Sequence, residues 1–479
     1  MKKEQIKNLL NKALKKYWWY DNFRWNQEQA ILELIKNKNI AYIEKTWGWK
    51  SIVYQIPALL KKGLTIVVSP LKSLMKDQVE NLINKWIPAT YLNSDLDDSE
   101  KKSRFIDLMN WNYKLLYVSP ERLSFDKFID YLIQVPWWIS YFIIDEFDTV
   151  SEYWETWFRP EFLQLWEVKR KLEEWTWKRI PVWIFTATAT KKTIDTVIEM
   201  MWVENNIKFF RWKLVWDNLH IIIKKYVNTA DKDKHFYAYI SAIQKQLKGK
   251  KWTAIIFCST TKDVDNIYKI LQSLKYKVAK YHWKMTTKMR ESTYNKFIKD
   301  KVDFVVCTNA FWRWIDKANI RYILHYWTPW NISAYMQEIW RGWRDWKDYD
   351  AILLYCNQDV NKRRFILRWN DNSYELIDEY EKFLGYLEDE LTCRIYNLYK
   401  YFWYDTDDIQ EECWNCDNCW YTPNLLSETN LIKAEKQVEK NKKITKKKTS
   451  KRKTTKWWRW TKKTSTIRKR TTKNRKKRT

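Results

Sequence analysis

Four groups of residues in this 479-residue chain have types and spacing suited to chemistry. Lys50 and Ser51 close the loop 46–51, which follows the apolar run 40–43. An ammonium and a hydroxyl at the start of a helix suit a polyphosphate. The lysine reaches the terminal phosphates, the serine ligates Mg²⁺, and backbone N–H groups of Thr46, Trp47, Gly48 and Trp49 would supply the cradle. Asp145 and Glu146 end a second apolar run, 141–144. There Asp145 is placed to hold Mg²⁺, while Glu146 can orient and deprotonate an attacking water. Gln337, Arg341 and Arg344 form a third group, with the two arginines three apart on one expected helix face, suited to charge building on a phosphate. Cys393, Cys413, Cys416 and Cys419 form the fourth. Three of these cysteines lie in a C-x₂-C-x₂-C run, and four thiolates are what tetrahedral Zn²⁺ requires.

The elements that must position these groups follow from hydrophobic pattern. The apolar runs 40–43, 64–69, 114–119, 141–145 and 182–186 alternate with helical stretches. After about residue 206 the pattern restarts, with runs at 253–258, 277–281, 304–308, 322–326 and 351–355. Strands alternating with helices predict two tandem α/β domains with parallel sheets. Residues 1–39 are expected to be helical, with Ile6, Leu9, Leu10, Ala13 and Leu14 on one face, and 357–392 to be helical up to the cysteine cluster. Cys258, Cys307 and Cys356 fall on or beside strand runs and are expected in the core. The four histidines, His220, His235, His282 and His325, make no cluster of metal spacing.

Composition excludes several classes. Apolar runs are short and broken by lysine, so no membrane span is expected, and the charged N-terminus lacks the apolar core of a secretion signal. Seven cysteines with four clustered late predict a reducing, cytoplasmic setting rather than a disulfide scaffold. Of the net charge of +30, +21 lies in 433–479, a Lys/Arg/Thr tail with only Glu435 and Glu439 as acids. Such a tail cannot bury enough apolar surface to fold, so it is expected to be a disordered, sequence-blind phosphate-binding arm.

One imbalance needs a cause: Trp 34 against Gly 5. Glycine ordinarily makes up about 7% of a chain. Many of the tryptophans stand in turns and loops, where backbone freedom is wanted and bulk is not, among them 47, 49, 312, 314, 343 and 346. UGA is one base from a glycine codon and one from the tryptophan codon, and bacterial lineages that read it as glycine exist. The expectation is a UGA-as-glycine gene written with tryptophan, which turns 46–51 into TGGGKS.

With that reading, the motifs resemble the RecQ family of superfamily 2 DNA helicases over roughly 15–420, in order. YDNFRWNQ (20–27) is similar to the adenine-recognition motif, VSPLKSLMKDQ (68–78) and LYVSPERL (116–123) to motifs Ia and Ib, and FTATAT (185–190) to motif III. AFGRGIDK, ending at Lys317, is similar to motif V, and QEIGRGGRDG, beginning at Gln337, to motif VI. The resemblance implies two RecA-like domains, 1–205 and 206–356, a helical zinc-binding subdomain at 357–422 and a basic tail at 423–479. It implies that Tyr20 and Arg24 sandwich adenine, that Gln27 reads its edge, and that Asp316 belongs to the nucleotide site. Ser69, Lys76, Asp77, Gln78, Tyr153, Phe158, Arg159, Thr186 and Thr188 would contact DNA or couple that contact to hydrolysis. The aromatic-rich loop 151–160 is one residue longer than the usual pattern, and Asp148 stands where the family has His. The implied cofactors are ATP, Mg²⁺ and Zn²⁺, and the implied partners are single-stranded and forked DNA. The implied work is 3′→5′ unwinding in recombination, repair and replication at the bacterial nucleoid. No counterpart of the winged helix that follows the zinc subdomain in many relatives is expected in the residues from Cys419 to Thr479. Rival readings are a DNA-dependent translocase or annealing factor that unwinds little, an RNA helicase and, with literal indoles, a non-enzymatic nucleic-acid binder.

Overall fold

The computed structural model describes residues 3–24, 26–44, 50–70, 72–123, 126–134, 139–147, 165–187, 190–191, 193, 195, 207–215, 217–308, 317–342, 345, 347–369, 373–407 and 411–421. The chain divides into two compact units. The first comprises Met1–Leu219, Pro329–Arg341 and Lys362–Cys419; the second comprises His220–Thr328 and Gly342–Asn361 with the residues from Trp420 on.

The first unit holds a seven-stranded sheet of β1 (Asn39–Ile43), β2 (Leu64–Val68), β3 (Ala89–Leu92), β4 (Leu115–Val118), β5 (Ile139–Ile144), β6 (Val182–Thr186) and β7 (Ile207–Arg211). Their order is β3-β4-β2-β5-β6-β1-β7, and every neighbouring pair is parallel. Strands β1, β2, β4, β5 and β6 are buried along their whole length, as their unbroken apolar runs require of a sheet covered on both faces. In the helix Lys3–Trp18, Leu10, Ala13 and Leu14 face the core, whereas Leu9 points outward, so the expected apolar face is narrower than read.

The second unit holds a six-stranded sheet in the order β10-β11-β9-β12-β13-β8. Its strands are β8 (Leu219–Tyr226), β9 (Thr253–Phe257), β10 (Val278–Tyr281), β11 (Phe304–Cys307), β12 (Ile320–His325) and β13 (Tyr349–Cys356). Cys258, Cys307 and Cys356 are buried in this unit, as expected. Among the described residues, no helix is long and apolar enough to cross a membrane.

Parallel packing puts every strand of the first sheet's C-terminal end on one edge, where ligands of open α/β sheets bind. Backbone bonds knit that edge together. The Asp145 N–H donates to the Val68 carbonyl (2.9 Å), Ser69 to Val118 (3.0 Å), Phe147 to Phe185 (3.0 Å) and Glu44 to Thr186 (3.0 Å). The residues after β1, β2, β5 and β6 are thereby held side by side.

Candidate nucleotide and zinc sites

The helix Lys50–Leu60 opens with Lys50, as the sequence predicts, and is buried over most of its length. Lys50 is itself only 6% exposed. Its ammonium lies 3.2 Å from the Glu146 carboxylate, which sits just past the end of β5. Glu146 reaches it from a left-handed backbone (φ 54), a conformation that costs a non-glycine residue energy and here turns its side chain across the strand end. Asp145 is almost fully buried beside it. Its carboxylate accepts from the Glu146 N–H (3.1 Å) and from the Tyr54 hydroxyl (3.1 Å). Burial, helped by the neighbouring Glu146 charge, pushes the Asp145 carboxyl up to about 6, while Lys50 and Tyr54 pull the other way. An acid pair that shares one lysine at the sheet's C-terminal edge suits a hydrated, phosphate-bound divalent cation. Ser51, half-buried one residue along the helix, is the adjacent hydroxyl.

Because Asp145's folded value lies above its unfolded one, it gains stability as pH falls through about 6 and costs stability above that. Its ionised form is the one that can hold a cation. Tyr54→Phe removes a donor to that form, so the acid limb of the ATPase pH profile moves upward from near pH 6. An unmoved limb would show that the Tyr54 hydrogen bond does not set Asp145's charge.

Tyr20, Arg24 and Gln27 lie together. The Arg24 guanidinium stands 6.0 Å over the Tyr20 ring, and the Arg24 N–H donates to the Gln27 side chain (3.0 Å). Of the residues expected at DNA, Lys76 is exposed and paired with Glu80 (3.8 Å), and burial raises the Asp77 carboxyl. Ser69 and Thr186 are buried at the sheet edge. Gln78 accepts from Gln55 (3.0 Å).

Gln337 lies on the helix Ile332–Ile339, but Arg341 does not: it sits on a 3-10 turn, Trp340–Gly342. The expected α-helical face carrying both arginines is therefore interrupted. Gly342 ends that turn, and a Cβ there would collide with the Tyr349 ring. Gln337 and Arg341 are both buried. Thr46, Trp47, Gly48, Trp49, Asp148, Tyr153, Phe158, Arg159, Thr188, Asp316 and Arg344 lie outside the described residues.

The Sγ atoms of Cys393, Cys413, Cys416 and Cys419 all lie within 4.8 Å of one another. Tetrahedral Zn–S bonds of about 2.3 Å put sulfurs about 3.8 Å apart, so the set fits that ion. Backbone N–H groups point at the sulfurs: Arg394 to Cys416 (3.4 Å), Asn415 to Cys413 (3.4 Å) and Cys413 to Cys419 (3.5 Å). Hydrogen bonds among the thiols pull Cys393 below its ordinary value and push Cys413 and Cys416 above theirs, so without an ion the crowded sulfurs share protons that metal binding would release. The sequence reading missed the residue that carries this knuckle, Arg394. It is buried, bridges to Asp417 (3.1 Å) and donates to the Tyr386 carbonyl (2.6 Å). Its only signal was a charged residue directly after the first cysteine.

Comparison with known proteins agrees with this geometry. The DEAD/DEAH box helicase family matches residues 24–197, and the helicase conserved C-terminal domain matches 235–345. The ATP-dependent DNA helicase RecQ of Bacillus subtilis is 32% identical over 84% of this chain, which spans 65% of that relative. The RecQ of Synechocystis is 31% identical over 72% of this chain and 70% of its own length. Across two further bacterial RecQ relatives the chain spans 60–62% of the length. Among solved structures, the DUF1998 helicase MrfA bound to DNA shares the fold, with a TM-score of 0.60, 15% identity, and coverage of 76% of this chain and 50% of that one. Parallel-sheet units with a lysine–acid pair on the strand ends, a four-cysteine knuckle and this degree of identity place the chain in the RecQ family of DNA helicases.

Proposed function

We propose that the protein is an ATP-dependent DNA helicase of RecQ type that translocates 3′→5′ on single-stranded DNA and unwinds duplex in recombination and repair. The observation that carries the reading is the Lys50–Glu146 contact at 3.2 Å beside buried Asp145, on the strand-end edge of the first sheet. At rest, Lys50 and Glu146 neutralise each other. Entry of a nucleotide gives the ammonium a better partner, the phosphate oxygens, and frees the Glu146 carboxylate to accept a proton from water. Mg²⁺, held through Ser51 and Asp145, would neutralise phosphate charge. Tyr20, Arg24 and Gln27 fit an adenine clamp. Domain limits at 205, 356 and 422 follow from the motif order, with a structural zinc in the third segment. DNA would be held chiefly through phosphates, which makes binding tolerant of sequence.

A forked duplex with a 3′ single-stranded tail tests the whole reading. ATP and Mg²⁺ should release the displaced strand, and a 5′-tailed fork should not be opened. DNA-stimulated hydrolysis without strand release would identify a translocase or annealing factor instead, and no stimulated hydrolysis would leave a binding protein. Deleting 433–479 should weaken DNA binding most at low salt and flatten the dependence of log K on log salt, because fewer counterions are released. An unchanged slope would remove the tail from the interface.

A further inference from the structure

A continuous chain of side-chain hydrogen bonds runs from the helix Lys72–Ile83 to the catalytic carboxylate. The Gln55 Nε2 group donates to Gln78 Oε1 (3.0 Å) and to the Tyr117 hydroxyl (3.1 Å). The Tyr117 and Tyr54 hydroxyls are 3.4 Å apart, and Tyr54 donates to Asp145 Oδ2 (3.1 Å). Gln55, Tyr54 and Tyr117 are all buried. An ionised carboxylate only accepts, and each phenol has a single proton. With Tyr54's proton on Asp145, Tyr117 must donate to Tyr54. The two Gln55 amide protons then go one to Tyr117 and one to Gln78. Every direction along the chain is thus set by Asp145 at one end and by the Gln78 carbonyl at the other.

We propose that Gln55, Tyr117 and Tyr54 are positioning residues that transmit nucleic-acid contact at Gln78 to Asp145. This rests on the helicase reading above. A strand that engages Gln78 changes the acceptor offered to Gln55, and aligned hydrogen bonds polarise one another along a buried chain. The message needs no strand or helix to move.

The test uses the full-length protein with Gln55→Leu, Tyr117→Phe and the double variant, none of which removes a group that touches nucleotide. DNA-free hydrolysis and DNA affinity should stay at the wild-type level, while the melting temperature falls modestly because each variant leaves buried partners without a hydrogen bond. The stimulation of kcat by single-stranded DNA should fall about tenfold, the size of an ordinary coupling between two sites. Because both residues lie on one path, the double variant should lose no more stimulation than either single one. Additive losses, or full stimulation in both single variants, would overturn the relay. A wild-type protein without DNA-stimulated hydrolysis would overturn the helicase reading, and the relay with it.

A second inference rests on backbone conformation and burial. Among the described residues, eleven non-glycine residues have positive φ, and seven of them are Trp: 19, 86, 111, 177, 403, 414 and 420. The chain has 30 Tyr and 19 Phe, yet none of either appears at positive φ there, so the conformation is not a habit of its aromatic residues. All seven indoles are exposed, Trp86 at 92% and Trp177 at 93%. Three of them occupy helix stops of one kind. Trp86 donates to Ile83 and Ile87 to Leu82; Trp111 to Leu108 and Asn112 to Asp107; Trp403 to Lys400 and Tyr404 to Tyr399. This paired pattern places the first residue of each pair in the left-handed position where helices usually end on glycine. Trp18 and Trp183 behave differently. Trp18 is buried within its helix, and Trp183 is fully buried in β6, with its indole N–H on the Lys38 carbonyl (3.2 Å).

The geometry points to glycine at 19, 86, 111, 177, 403, 414 and 420 in the protein as its own cell makes it, and to tryptophan at 18 and 183. The tryptic peptide 17–24 decides between the two residue types, because it contains both a buried and a left-handed Trp. Fragment masses of that peptide from the native protein should show one indole, at 18; an indole at both positions would overturn the inference. In recombinant protein, Trp86→Gly and Trp177→Gly should raise the melting temperature and Trp183→Gly should lower it. A lower melting temperature in the first two would equally overturn it.

Discussion

Lys50→Ala abolishes DNA-stimulated ATP hydrolysis, with a loss of roughly a thousand-fold or more, the scale expected when a preorganised electrostatic partner is taken from a transition state. Lys50 begins its helix, is nearly buried, and has its ammonium 3.2 Å from Glu146. No other lysine among the described residues is paired to Asp145 or Glu146. Alanine therefore removes the one positive charge that, among the described residues, is paired to this acid pair. The fold survives, because the pair can relieve itself by taking up a proton: Lys50 is the chief charge lowering Asp145, whose carboxyl already sits near 6. The variant should thus show a still higher acid limb in any residual activity, normal circular dichroism and normal zinc content. Turnover with DNA comparable to wild type would refute the assignment of the nucleotide site.

Much of this was legible because the decisive residues end buried strands. The runs before Lys50 and Asp145 are apolar without interruption, and a central parallel strand has no other way to look. Three strands escaped the reading: β3, β7 and β8. All three lie at sheet edges, where one side lacks a strand neighbour and charge is tolerated. Thus Ile207–Arg211 carries a lysine and an arginine, and Leu219–Tyr226 turns basic halfway along. The relay residues escaped for the opposite reason. Tyr54, Gln55 and Tyr117 sit within apolar helix and strand sequence, where a tyrosine reads as packing. Only the three-dimensional placement of a carboxylate beneath Tyr54 makes its hydroxyl meaningful. The need for glycine at 342 comes from how closely Tyr349 approaches it, a contact that no local pattern encodes.

Removing the metal from the cysteine knuckle should unfold more than the knuckle. As isolated, the protein should contain one zinc per chain, and a strong chelator or Cys416→Ser should bring it near zero. Structural zinc sites contribute apparent binding energies of about 10–16 kcal/mol to folding, far more than a small segment gains from its own core. Cys416 is fully buried and accepts the Arg394 N–H, so loss of the ion leaves buried thiols crowded together with no charge to organise them. Arg394 then loses its frame. It joins Asp417 in the knuckle to the carbonyl of Tyr386 on the helix Ser373–Glu388. That helix packs through Phe383 and Tyr386 against Tyr335, with ring centroids 5.6 and 6.3 Å apart. Tyr335 lies on the helix Ile332–Ile339, which carries Gln337 and leads to Arg341. Arg394→Ala is the sharper probe, because it leaves all four cysteines in place. Breaking a buried ion pair from one side costs about 3–5 kcal/mol. The expected result is retained zinc, a lowered melting temperature, and faster amide exchange in both helices. Zinc-free protein that melts where the loaded protein does would show that the four thiols are only core. Unchanged exchange in Ile332–Ile339 after Arg394→Ala would show that the knuckle does not support the arginine-bearing turn.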